Sequence, residues 1–158
     1  MQIILQDPAG DCRGEFCIKV YKKGKLQEEY ADHNLVVHAG RKRLAELAAG
    51  LSGAHISYIG VGSGTVKEAE DDTALTEQHL FPLTGATVTG LDARFDFVVL
   101  ETQANGLSIR EFGLFCTDKT MFTHRVRIFA DSETGEERVL TIDKGNDIEI
   151  RGYWILHF

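Results

Sequence analysis

The residues with chemistry to offer are scattered, and few stand at the spacings that chemistry needs. The six histidines (His33, His38, His55, His79, His124, His157) include no His-x-x-x-His pair and no His-Glu-x-x-His, the spacings that set two imidazoles on one helix face around zinc. His33 follows Asp32 and could form an acid–base couple with it, in a segment that reads as a loop entering a helix. Cys116 and His124 flank the turn-forming stretch Thr117-Asp118-Lys119-Thr120, so a hairpin could bring a thiol to a base. Ser63 lies in Gly62-Ser63-Gly64, without the Gly-x-Ser-x-Gly elbow and the strand-to-helix setting that a serine nucleophile needs. Asp92 and Asp96 share a strand face, but Arg94 stands between them, so they read as a solvated charge ladder rather than a glycosidase pair.

Gly60-Val61-Gly62-Ser63-Gly64-Thr65 has the glycine density of a phosphate loop, in which bare backbone N–H groups can surround an anion. It lacks the Gly-Lys-Ser/Thr ending and the Gly-x-Gly-x-x-Gly spacing, and Glu68, Glu70, Asp71 and Asp72 follow at once and would repel phosphate. It reads better as a strand exit where backbones pass closely. The sequence therefore offers no catalytic residue, no cofactor-binding residue and no metal ligand set, and the chain is not expected to be an enzyme.

Two charged segments ask for a physical account. Arg41-Lys42-Arg43 places three cations in a first helical turn, against the helix dipole, at a cost of about 0.3–1 kcal/mol each when exposed. The plain reading is a solvated face, and the functional one is a docking patch for an acidic partner. In Ile109-Arg110-Glu111-Phe112-Gly113-Leu114-Phe115, the two-residue period of a strand puts Glu111 on the face of Leu107, Ile109 and Phe115. A carboxylate there must be paired or protonated, and Arg94, Arg125 and Arg151 are candidate partners. A structural ion pair is the preferred role, ahead of a catalytic acid. Phe112 and Leu114 load the opposite face, so both sides of this strand must be covered, by a second layer or by another subunit.

The elements that would position these residues are mostly strands. Phe16, Ile18 and Val20 alternate with Cys17, Lys19 and Tyr21, and Lys22-Lys23-Gly24-Lys25 turns the chain back through Leu26 to Tyr30, a hairpin over about 14–30. One helix is expected over roughly 39–50, with Leu44, Leu47, Ala48 and Leu51 as its apolar stripe and Gly50 and Gly53 as its stop. Strand signals then run from His55 to Val61, from Leu91 to Val99, from Leu107 to Phe115 and from Met121 to Phe129, with one helical turn starting near Thr73-Ala74-Leu75. Val139–Ile142 and a last strand carrying Ile148, Ile150, Trp154, Leu156 and Phe158 on one face suggest a C-terminal hairpin over about 138–158. Eight or nine strands, one helix and no βαβ alternation imply a mainly-β (α+β) domain, an antiparallel β-sandwich with one packed amphipathic helix.

Composition bounds the rest. The 158 residues fit a single domain, and 43% hydrophobic content excludes a disordered chain. With 17 Lys and Arg against 24 Asp and Glu, the net charge is −7, so nucleic acid is not an expected partner. No apolar run is long enough to span a bilayer, and the start, MQIILQDPAG, lacks the basic and apolar regions of a secretory signal. Cys12, Cys17 and Cys116 form no Cys-x-x-Cys pair. Free thiols in a reducing compartment are the preferred reading, with one disulfide and an orphan thiol as the other.

Taken in order, Asn34-Leu35-Val36-Val37-His38-Ala39-Gly40 opening a helix, a strand ending Ile59-Gly60-Val61-Gly62-Ser63-Gly64, a polar spacer to Thr73-Ala74-Leu75-Thr76-Glu77, and the Ile109–Phe115 strand with its return from Met121 resemble the N-terminal domain of phage tail-collar fibre proteins. The resemblance covers about residues 33–128. It implies a virion structural part of a tail or baseplate, without catalytic residues, that assembles as a homo-oligomer (a trimer is favoured) and contacts other tail or baseplate proteins. Unlike family members, which continue into a long fibre, this chain ends about 30 residues after the match and adds the hairpin before it, so an adaptor or baseplate-type piece of a phage or prophage is expected. Edge strands and outer faces such as Phe112/Leu114 or Tyr153/Ile155 would pair between subunits. The rival readings are a carbohydrate-binding sandwich with Trp154, Tyr153 or Tyr58 as stacking platforms, and a hydrolase using Cys116 and His124.

Overall fold

A computed structural model describes residues 13–158; Cys12 and the opening segment read for a signal lie outside them. The chain runs β1 (Arg13–Lys22), β2 (Lys25–Val36), α1 (His38–Ala48), β3 (Ile56–Gly62), β4 (His79–Pro82), β5 (Gly85–Thr89), β6 (Asp92–Val99), β7 (Ser108–Ile109), β8 (Glu111–Cys116), β9 (Met121–Val126), β10 (Ile128–Ala130), β11 (Glu137–Val139), β12 (Ile142–Asp143) and β13 (Ile148–His157). It is a mainly-β fold with one helix, built on a nine-stranded antiparallel sheet in the order β4-β3-β8-β9-β2-β1-β13-β6-β5.

The sheet curls on itself at two corners. At the first, β2 pairs with β1 for most of its length and then passes Leu35 and Val36 to β9. At the second, the short link between β4 and β5 joins the two ends of the strand order: Leu83 donates its N–H to the Ser57 carbonyl (3.0 Å), and Thr84 donates to Asp96 (2.9 Å). Two halves therefore face one another across a single apolar interior. Phe16 sits at its centre, with its ring 4.6 Å from Trp154 and 5.0 Å from Phe112 of the opposite half.

The N-terminal hairpin forms as the alternation implies. Phe16, Ile18 and Val20 point inward and are buried. The two turn residues, Lys23 and Gly24, take φ of 50° and 77°, the pair of positive values that matches a hairpin turn to the twist of its strands.

Helix α1 is rolled relative to the stripe expected. Its buried positions are Gly40 and Arg43, with Leu44 and Leu47 half-buried, whereas Ala48 is exposed and Leu51 is 79% exposed. The roll follows from contact with β9: a Cβ at Gly40 would stand 2.3 Å from the Phe122 carbonyl oxygen, so the helix backbone lies directly on the strand.

Three other expectations are corrected. Residues 73–75 form no helical turn. The segments read as single strands over 107–115 and 121–129 are broken at Arg110 and Arg127, because β7 leaves to pair with β12 and β10 leaves to pair with β11. No hairpin joins 138–142 to the last strand: β13 lies between β1 and β6, so its partners come from the start and middle of the chain. Ile148, Ile150, Trp154 and Leu156 are buried as expected, while Phe158 is 44% exposed.

Strand β8 is covered on both faces by its own chain. Phe112, Leu114 and Cys116 enter the central core, and Phe115 joins Val37, Leu75 and Met121 in a second cluster on the other side. Phe112 and Leu114 are wholly buried, so they are not an outer face available for pairing between subunits.

Candidate functional site

Between β3 and β4 the chain makes an irregular strap, residues 63–78, that crosses β8 and β9 on the side away from the central core. Leu75 plugs it into the cluster of Val37, Phe115 and Met121. The other attachments are polar: the Arg110 guanidinium donates to the Ser63 carbonyl (2.9 Å), and most of the rest come from the acidic run. Glu68 accepts from the Arg125 guanidinium (2.8 Å) and from the Val126 N–H (3.0 Å). Glu70 and Asp71 stand 2.9 and 3.0 Å from the two ring nitrogens of His38, whose backbone N–H also donates to the Glu70 carbonyl (2.8 Å). Asp72 Oδ2 lies 2.7 Å from His124 Nδ1.

The other nitrogen of that imidazole faces Glu111, at 3.4 Å from Oε1. Glu111 and His124 are 3% and 4% exposed, and the same Glu111 oxygen accepts the Thr76 N–H at 3.2 Å. Burial pushes the His124 pKa down, but Glu111 and Asp72 together outweigh it and hold the pKa above the ordinary histidine value. The imidazole thus sits as a charge clamp between a strap carboxylate and a sheet carboxylate. A cavity of about 290 Å³ opens beside it, lined by Ser63, Thr65, Lys67, Asp72, Glu111 and His124 among others.

The glycine run provides clearance for this arrangement. A Cβ at Gly62 would stand 2.7 Å from the Thr76 carbonyl oxygen, and one at Gly64 would fall 1.6 Å from Glu111 Oε2. The close backbone passage read from the sequence is therefore what those glycines serve.

Glu111 is paired, as its placement demanded, but by none of the three arginines considered. Arg125 is taken by Asp32 and Glu68, Arg94 by Asp96 at 3.0 Å, and Arg151 by Glu149. The partner missed was His124. The signal was present in the hairpin: with a turn at 117–120, His124 falls opposite Gly113 and diagonally beside Glu111, on the same face.

That register also separates Cys116 from His124. Cys116 lies near the turn, donating its N–H to Thr120 at 2.9 Å, and burial pushes its thiol up to about 11, so the thiol–base pair does not form. The Ser63 hydroxyl donates to Glu77 Oε1 at 2.6 Å. Asp32 and His33 form no acid–base couple: Asp32 accepts from the Tyr30 hydroxyl (2.7 Å), from Arg125 and from the His33 backbone N–H, and His33 belongs to β2. Asp92 is drawn to His157 Nδ1 at 2.6 Å, away from Asp96.

The basic triplet divides in the same way. Arg41 and Lys42 are exposed, but Arg43 is 8% exposed and donates to Asp118 (2.6 Å), to the Ala54 carbonyl (3.1 Å) and to Thr120 Oγ1 (3.3 Å). It pins the helix to the β8–β9 turn instead of forming a three-residue docking patch. Of the aromatic platforms, Trp154 is wholly buried, Tyr58 packs on the second cluster, and Tyr153 is capped by Arg94 at 4.0 Å from its ring centre. No group of three or more His, Cys, Asp or Glu side chains among the described residues is placed to hold a metal ion. No described helix is long and apolar enough to cross a membrane.

An open edge lies at one end of the sheet order. Among the described residues, strand β5 pairs with β6 on one side only, four of its five residues are exposed, and Val88 and the following Leu91 are 76% and 73% exposed. Comparison of the chain with family models, curated proteins and solved structures returns no match.

Proposed function

We infer that the chain is a structural protein acting by assembly, a bacteriophage or prophage tail, baseplate or tail-fibre component that forms a homo-oligomer and resides in the virion tail. The observation that carries this reading is the side of β5 left unpaired among the described residues. Its sequence, Gly85-Ala86-Thr87-Val88-Thr89, contains no lysine, no charge and no proline, the devices by which proteins blunt a sheet edge that must stay alone. Exposed Val88 and Leu91 add apolar surface at that edge, and Tyr153 and Ile155, half-buried on β13, extend the outward face of the same half of the sheet. The resemblance to tail-collar fibre domains over about 33–128 supplies the setting, a trimer as the favoured state and other tail or baseplate proteins as neighbours.

The carbohydrate-binding alternative loses its best platform with the burial of Trp154. Assembly through β5 is tested by Val88→Lys, which sets a charge on the edge without touching the core. The variant is expected to keep its circular dichroism spectrum and fall to a smaller solution mass; an unchanged oligomer would remove β5 from the interface.

A further inference from the structure

The strap over residues 63–78 is fastened in an unusual way. Leu75 apart, its side-chain anchors onto the sheet and helix are carboxylates, and three consecutive ones, Glu70, Asp71 and Asp72, all land on imidazoles. Only Glu68 rests on a guanidinium. A guanidinium keeps its charge at every accessible pH, whereas an imidazole changes charge near neutrality. The fastening is thus divided: Glu68 on Arg125 and the Ser63 carbonyl on the Arg110 guanidinium (2.9 Å) are permanent anchors, whereas the Asp72 contact with His124 depends on a proton.

We propose that the strap is a pH-gated latch, closed while His124 carries a proton and loosened when it loses it, so that the apolar cluster of Val37, Phe115 and Met121 beneath Leu75 is uncovered. The groups facing the His124 ring support this direction. His124 meets Asp72 from the strap and Glu111 from β8, while Leu35 is its partner on β2 and brings no charge. Lys67 lines the same cavity, and Arg125, the next residue along β9, is already occupied by Asp32 and Glu68. His38 meets Glu70 and Asp71 at the solvent-exposed end of the strap. When His124 gives up its proton, Glu111 is left as a buried carboxylate beside a neutral ring, and Asp72 loses its cationic partner.

The folded pKa of His124 is raised, so the clasp's stabilisation is complete below the ordinary histidine value of 6.5 and is lost as pH rises through the higher folded value. The latch therefore holds in mildly acidic solution and opens toward alkaline pH, with the Glu68 anchor keeping the strap tethered.

Amide hydrogen exchange of the full chain from pH 6 to pH 9, corrected for the intrinsic rate, reads this directly. Strap amides should lose protection by about tenfold, the size of one charge-assisted hydrogen bond, while amides of β8 keep theirs. Asp72→Asn should give a strap that is poorly protected at every pH and has no slope. Glu68→Gln should lower protection but retain the slope. A wild-type strap with constant protection over this range, or an Asp72→Asn variant with the wild-type slope, would overturn the proposal.

Discussion

Glu111 on β8 and His124 on β9 stand with Oε1 and Nε2 3.4 Å apart, both almost wholly buried, beneath a strap that supplies Asp72 to the other ring nitrogen. A buried carboxylate and a buried imidazole are each costly alone, and here each is the other's compensation. The same site joins the β8–β9 hairpin to a strap that lies far from it in sequence, between β3 and β4.

Removing one side should therefore expose the cost of the other. Glu111→Ala is expected to lower stability by about 3 kcal/mol, because it leaves the His124 ring with one carboxylate and the Thr76 N–H without its acceptor. Urea unfolding measures it. A loss below about 1 kcal/mol would mean that solvent or a neighbour satisfies the site.

Gly64 and Gly53 differ in what a side chain would meet. Gly64→Ala places a methyl group where Glu111 Oε2 sits, whereas a Cβ at Gly53 meets nothing within 4 Å. Overpacking of the first kind costs about 1–3 kcal/mol, and the second change should lie within about 0.5 kcal/mol of wild type. Equal effects in thermal melts would contradict the close passage.

Asp118, in the β8–β9 turn, pairs with Arg43 from the middle of α1. The Arg43 guanidinium holds its carboxyl well below the usual carboxylate range. A depressed folded pKa stabilises the fold above the ordinary aspartate value, and that contribution is lost as pH falls through the folded one. Asp118→Asn should accordingly lower the melting temperature at neutral pH and flatten its fall toward acid. A parallel shift at all pH values would place the effect elsewhere than in this ionisation.

The thiols give a chemical check on the interior. Cys116 is buried with its thiol pushed up to about 11, whereas Cys17 is half-buried on β1. Iodoacetamide at pH 7.5 followed by peptide mapping should label Cys17 well before Cys116, which should react only on unfolding. Rapid labelling of Cys116 in the folded protein would revive the nucleophile reading.

How much of this was legible in the sequence depended on the range of the interaction. The alternation of Phe16, Ile18 and Val20 and the Lys23-Gly24 turn are local, and the β1–β2 hairpin follows from them. Arg43 misled the helix stripe because a cation counts as polar in any periodicity, although here it is buried against Asp118, 75 residues away. The pairing of the acidic run was hidden for a similar reason: Glu68 and Asp72 find their partners 57 and 52 residues downstream. A histidine search confined to local spacings could not find His124, whose role is set by the β8–β9 register and by a strap from another part of the chain. The C-terminal hairpin failed because two neighbouring strand signals do not reveal which other strands offer longer and more apolar edges, as β1 and β6 offer β13.

The central claim is that this chain works by assembling with copies of itself, and its solution mass tests that most directly. Size-exclusion chromatography with light scattering over a wide concentration range should show a stable trimer or a larger closed ring. A strict monomer at the highest concentration would contradict self-assembly through the β5 edge.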